Sequence, residues 1–313
     1  MAIAISISPT VDFAFKMMLG SPEHAPVTIH FLNAILGGRL RITQVKFLNP
    51  FLGKVRDGDK LAVLDILATD NFGRQLNIEI QTSVPAGLRQ RLAFYDARLY
   101  VDQMKEGEQY HELRPAIVIC VLTKPLFPVQ TYLHTDFRLR DEAGKVFSDD
   151  LQIHTLELTK LNVTRENLAS ATPAERWAYF LRYAETMTEA EIVELFPEPE
   201  FVEAAGVLEV INKTPEQLHE YRSRLKLQLD EAARLEYARD EGRQEGEAKG
   251  RQEGEAKGRQ EGEQKGELIG RITMLQEILS ISQPSREELS ACDLTQLTAL
   301  AKQLQQQLSR RGQ

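Results

Sequence analysis

The sequence predicts an α/β domain followed by helices and a repetitive tail, and three features carry that reading. Strand-like runs, KLAVLDILATD, LNIEIQT and PAIVICVLT, alternate with helical spacings between residues 8 and 160. Helical patterns alone fill roughly 165–240. Glycine then returns at every fourth position from Gly242 to Gly270. The 313 residues therefore divide into an α/β domain over 1–163, a helical extension over 164–240, a charged glycine-periodic spacer over 241–270 and amphipathic helices over 271–313.

In chain order, TVDFAFKMML reads as a short helix with Thr10 as its cap and Phe13, Met17 and Met18 near one face. A second helix begins near Val27 and closes between Asn33 and Gly38. QVKFLNP is a strand. KLAVLDILATD reads as one continuous strand, with Ala62, Leu64 and Ile66 facing one way and Leu61, Val63, Asp65 and Leu67 the other. DNFGRQ supplies turn residues before LNIEIQT, so these two strands form an antiparallel hairpin. Leu88, Leu92, Tyr95, Leu99 and Met104 then follow a helical spacing. PAIVICVLT suits a central strand covered on both faces, and VQTYLHTDFRLRD and LQIHTLELTKL suit strands nearer an edge. The order gives a three-strand meander and a fourth strand reached through a crossover helix. Past 164, AERWAYFLRYAETM, EPEFVEAAGVLEVI and the long segment opened by Thr214-Pro215 are helices standing as an appendage to the sheet domain.

The spacer repeats the unit GRQEGEAK. Each glycine costs a helix about 1 kcal/mol relative to alanine. The i,i+4 pairs Glu245–Lys249, Glu247–Arg251, Glu253–Lys257, Glu255–Arg259 and Glu261–Lys265 each return only about 0.2–0.5 kcal/mol. Helical spacer and flexible linker both remain open on these terms. The closing segments GRITMLQEILSIS and LTQLTALAKQLQQQLSRR are amphipathic and suited to capping or to homo-oligomer formation.

Charged residues make up 27% of the chain and the formal net charge is -8, so no broad cationic field exists to hold nucleic acid. A DNA partner would need local basic groups or metal ions. Cys120 and Cys292 share no ligand spacing, which argues against a zinc site or disulfide framework and fits a reducing, cytoplasmic setting. The six histidines share none either. MAIAISISPT has no basic run or long apolar core, so no signal peptide is expected, and no apolar stretch approaches a membrane span.

An acid inside a strand of apolar neighbours is costly unless something pairs with it. Alternation puts Glu79 and Gln81 on one face of their strand, and the hairpin brings Asp65 of the neighbouring strand toward Glu79. Two carboxylates plus backbone and Gln oxygens make the all-oxygen shell that Mg²⁺ or Mn²⁺ takes. The bland reading is a pair of edge-facing carboxylates in water. Arg91 and Tyr95, four apart on the next helix, either flank such a site or serve packing and a surface ion pair.

Asp12, Phe15, Lys16 and Gly20 near the start, then KLAVLDILATDNFGRQLNIEIQ, RLAFYDARLY and PAIVICVL, together resemble the recombination-promoting nuclease and transposase family of bacteria, within the PD-(D/E)XK nuclease superfamily. The resemblance covers about residues 8–160. It implies a restriction-endonuclease-like mixed sheet flanked by helices and a Mg²⁺-dependent endonuclease acting on DNA. Position by position, it makes Asp65 and Glu79 the metal ligands, with Asp12 adding an acid from the first helix. Gln81 stands where the superfamily usually has Lys. A glutamine cannot supply a cation, so Lys60 or Lys16 is the substitute, although strand parity turns Lys60 away from Asp65. Arg91 would hold a phosphate and Tyr95 orient a ligand. The alternative is a catalytically inactive nuclease-like binding module that oligomerises through its C-terminal helices.

Overall fold

The computed structural model of the chain describes residues 4–38, 41–49, 51–52, 62–104, 106–281 and 284–311. Two helices, α1 (Asp12–Leu19) and α2 (Ala25–Leu36), precede the strands β1 (Val45–Leu48), β2 (Phe51–Leu52), β3 (Ala62–Val63), β4 (Ile66–Asp70) and β5 (Gln75–Gln81). Helix α3 (Leu88–Val101) then leads to β6 (Ala116–Leu122), β7 (His134–Arg140) and β8 (Val146–Glu157). Six strands form one sheet in the order β1-β4-β5-β6-β8-β7, while β2 and β3 pair as a separate ribbon. The meander β1-β4-β5 is antiparallel and the crossover through α3 makes β5 parallel to β6, as the strand patterns predict. β6 is also parallel to β8, which pairs antiparallel with the edge strand β7.

The pattern of side chains explains this order. All seven residues of β6 are buried, which is why its run is apolar on both faces. Along β5, Leu76, Ile78 and Ile80 enter one core and Asn77 and Glu79 point to the other face. The turn between β4 and β5 is held by Asp70, whose Oδ1 accepts from the backbone N–H of Phe72 at 2.9 Å and of Arg74 at 3.0 Å. Gly73 completes it at φ +79°, a conformation that a side chain resists.

One face of the sheet packs on α1 and α2, together with α4 (Pro173–Tyr183), α5 (Glu189–Leu195) and α6 (Pro199–Lys213). Trp177 lies at the centre of that core. Its indole N–H donates to His30 Nδ1 at 3.1 Å, and its ring meets Phe201 at 4.6 Å between centroids. The helices after residue 163 thus share the core of the sheet rather than standing beside it as an appendage, because their aromatic residues supply much of its volume. Thr10 is not the cap of α1. Val11 holds that position, while the Thr10 hydroxyl bonds Ser8 Oγ at 3.0 Å. The buried face of α1 is Ala14, Phe15, Met18 and Leu19, with Phe13 and Met17 at its margin. The continuous strand expected over KLAVLDILATD is also interrupted: Leu64 and Asp65 lie between β3 and β4.

The opposite face of the sheet is covered by α3, which buries Leu88, Leu92 and Leu99 against β6. The fourth buried residue of that helix is Asp96. Burial pushes its carboxyl up to about 8, and Oδ1 has no hydrogen-bond partner. The folded state therefore holds a proton that the unfolded chain releases near the ordinary carboxylate value, and stability falls as pH rises from about 4 to about 8. Asp96→Asn is expected to raise the melting temperature at pH 8 and to flatten the pH dependence over that window, checked by thermal melts at several pH values. An unchanged profile would reject the assignment.

Two compact units divide the chain, Met1–Leu235 and Glu236–Gln313. Helix α7 (Pro215–Leu279) starts where Thr214-Pro215 predicts and is helical through the whole glycine repeat. The lysine–glutamate pairs along the repeat are Lys249–Glu253 and Lys257–Glu261, both at 3.9 Å and both largely exposed. They run in the reverse orientation to the expected Glu-first pairs, because each lysine leans toward the following glutamate, and this order stabilises a helix less. In the second unit, Ile272, Leu275 and Leu279 pack on Leu289 of α8 (Arg286–Ala291) and on Leu297, Ala301 and Leu304 of α9 (Leu294–Arg311). No described helix is long and apolar enough to cross a membrane.

Candidate active site

The break before β4 decides where Asp65 goes. Leu64 turns into the core under α3 and Ile66 into the core under α1, so the chain bends between them. The ladder of the hairpin ends at Ile66 opposite Ile78, and Asp65 continues it with a side chain: its Oδ2 accepts from the backbone N–H of Ile80 at 3.1 Å. Asp65 Oδ1 lies 3.1 Å from Lys16 Nζ, which also meets Asp12 Oδ1 at 2.8 Å, one turn back on α1. Burial raises the Asp65 carboxyl, the Lys16 ammonium opposes that rise, and the Asp12 charge adds to it. The lysine is itself held above its ordinary value: burial works against its charge, and Asp65 and Asp12 outweigh it.

Glu79 is the most buried acid of the site, 3% exposed in the middle of the sheet. Its neighbours on the same face of β5 hold it: Asn77 Nδ2 donates to Oε1 at 3.1 Å and Gln81 Nε2 to Oε2 at 3.2 Å. Burial first, and the Asp65 charge second, push its carboxyl up to about 7, while Arg91 of α3 pulls the other way. The Arg91 Nε is buried without a partner. Tyr95, one turn further on α3, is raised by burial and by the nearby Glu79 charge.

These groups line one cleft of about 310 Å³. Asp12, Asp65, Glu79, Gln81, Arg91 and Tyr95 all reach it. Lys16 lines a smaller neighbouring cavity with Asp65 between the two. Lys60 lies outside the described residues. Among the described residues no three acids, histidines or cysteines form a metal-binding group. Asp12 lines the same cleft, and the Lys16 ammonium stands on both it and Asp65. The carboxylate donors are oxygens, and the Asp65 charge that raises the proton affinity of Glu79 would equally favour a cation beside them. The donor set fits Mg²⁺ or Mn²⁺ held by a carboxylate pair and neutral oxygens.

Two contributions were not expected from the sequence. Asn77 was legible in hindsight, since alternation places it with Glu79 and Gln81. Arg224, Leu227, Gln228 and Glu231 of α7 also line the cleft, and nothing local in their sequence announces it.

A mixed six-strand sheet with helices on both faces is the architecture of the restriction-endonuclease-like α/β class. Residues 9–238 match the family described as PD-(D/E)XK nuclease family transposase, and the chain belongs to that family. The matched span runs well past residue 163 and takes in α4, α5, α6 and the start of α7. No curated protein and no solved structure matches the chain.

Proposed function

We propose that the protein is a metal-dependent endodeoxyribonuclease that hydrolyses phosphodiester bonds of DNA, as one step in recombination or in the movement of a mobile element. The observation that carries this reading is the juxtaposition of Asp65 and Glu79 in one cleft, each raised from its ordinary value by burial. Two buried acids sharing one cleft point to a use for their charge. Asp65 and Glu79 are the residues that would hold Mg²⁺ or Mn²⁺. Bound there, the ion would polarise the phosphoryl group and lower the pKa of its water.

The chain's own residues do the rest. Gln81 and Asn77 fix both oxygens of Glu79 by amide donation. Lys16 keeps one Asp65 oxygen oriented and is the ammonium within reach, in a chain whose Gln81 carries no charge. We assign it a positioning role through Asp65. Arg91 lines the cleft and is the cation we assign to a phosphate oxygen. Tyr95 stands beside it. Cys120 is buried and free, which suits a reducing cytoplasm.

The second reading is a catalytically inactive nuclease-like binding module that oligomerises through its C-terminal helices. It draws on one observation: both Asp65 oxygens already have partners, Lys16 and the Ile80 N–H. Incubation of the purified chain with plasmid DNA and Mg²⁺ separates the two. Nicking or cutting that Asp65→Ala silences supports the nuclease. Absence of both cleavage and calorimetric Mg²⁺ binding supports the inactive module.

A further inference from the structure

Helix α7 is fastened to the first unit just before it reaches the cleft. Leu218, Tyr221 and Leu225 lie along its docked side, and the Tyr221 hydroxyl accepts from the backbone N–H of Ser8 at 3.0 Å. Ser8 leads directly into α1 and Asp12. Arg224 follows Tyr221 by three residues, and its side chain, with Leu227 and Gln228 on the next turn, lines the same cleft as the two acids. The cleft thus has one wall from α3 and a second from α7.

Its charges are unevenly committed. Asp12, Asp65, Glu79 and Glu231 bring four acids to it, and a polyanion entering among them needs cations beside it. Lys16 is shared by two acids. The other cations lining the cleft are Arg91 on α3 and Arg224 on α7, the latter paired through its Nε with a single acid, Glu220. Arg224 donates its Nε to Glu220 at 2.8 Å, which fixes the guanidinium, and among the described residues no acceptor meets its two Nη amines. Leu227, 61% exposed and large, offers a sugar or base an apolar surface beside it.

We propose that α7 is half of the nucleic-acid-binding cleft, and that Arg224 grips a backbone phosphate of the strand whose neighbouring phosphate meets Arg91. This inference rests on the nuclease reading for the identity of the ligand, but not on catalysis. The strand would run between α3 and α7, so the long helix is part of the site and not only a connection to the second unit.

The test uses the full chain with a labelled DNA oligonucleotide in EDTA, with affinity measured across a salt series. Arg224→Ala is expected to weaken binding about tenfold and to make the log–log salt slope shallower by roughly 0.7–0.9, one phosphate contact. Arg224→Lys should recover the slope and part of the affinity. With Mg²⁺ present, cleavage by Arg224→Ala should fall at low DNA concentration and recover at saturation, a loss in KM. Wild-type affinity and slope in Arg224→Ala, with Asp65→Ala still unable to cut, would overturn this inference and leave the nuclease standing. A wild-type chain that binds but never cuts would remove the catalytic reading and keep this one. No binding by the wild type would remove both.

Discussion

Glu79→Gln is expected to abolish cleavage and, in the same molecule, to stabilise the fold. On the reading above the substitution removes half of the charge that holds the metal, so cutting should drop by at least about 10²–10³-fold. Stability moves the other way. The Glu79 carboxyl is pushed up to about 7 from an ordinary 4.5, mainly by burial and then by the Asp65 charge. A group whose folded value is raised contributes fully below its unfolded value, and that contribution is lost as pH climbs through the folded value. Above pH 7 the wild type therefore bears an ionised carboxylate in the sheet, a cost on the order of 3 kcal/mol. The amide bears no such charge and has nearly the same shape; it accepts from one of Asn77 and Gln81, while the other must turn its own amide to accept from the new NH2. Metal-free Glu79→Gln should melt several degrees higher than wild type at pH 8, and the gain should shrink toward zero near pH 4.5. Thermal melts in EDTA at both pH values and a plasmid-nicking assay check the two halves. A variant that still cuts sinks the catalytic role. A lower melting temperature at pH 8 would mean that the carboxylate is a structural hydrogen-bond hub, used by the fold for itself.

The parts of this site that follow a local period were legible in the sequence. Period-two alternation put Glu79 and Gln81 on one face, the Asp-Asn-Phe-Gly run fixed the hairpin, and a four-residue spacing put Arg91 and Tyr95 on one helical turn. The unbroken apolar run of PAIVICVL announced the central strand. What escaped depends on contacts between segments distant in the chain. The bend at Asp65 arises because its two neighbours enter different cores, and the sequence there looks like any other strand. Lys16 reaches Asp65 only because α1 packs on that edge of the sheet. Asp96 continues the leucine spacing of α3 where Tyr95 was the expected member, and an acid at a core position has no signature in a hydrophobic pattern. The Trp177–His30 bond spans 147 residues, and with it came the finding that the helices after 163 fill the core of the sheet. Arg224 joins the cleft across a similar distance in the chain.

Replacing Gly246, Gly250, Gly254, Gly258 and Gly262 together by alanine is expected to harden α7 without touching the cleft. A methyl group at any of these five meets no atom within 4 Å. Each substitution should stabilise the helix by about 1 kcal/mol, whereas the two exposed lysine–glutamate pairs along this stretch contribute a few tenths each at most. Propensity therefore dominates, and local opening of the repeat should become harder by up to about 5 kcal/mol. Amide exchange over residues 243–265 should slow by at least about 10²-fold, helix content by circular dichroism should rise, and cleavage should match wild type. The opposite expectation comes from a rod whose glycines seat a second copy of the chain, where added methyl groups would break assembly, read by sedimentation. Helical geometry weighs against that seat. A step of four residues turns a helix by 400°, so the glycine line drifts about 40° each time and travels about 280° around the rod between Gly242 and Gly270. A straight neighbour could follow it for a turn or two only, and one wrapping the whole length would have to coil around α7. Slower exchange with unchanged assembly would establish the repeat as a spacer whose glycines keep it soft; lost assembly would establish a coiled partner instead.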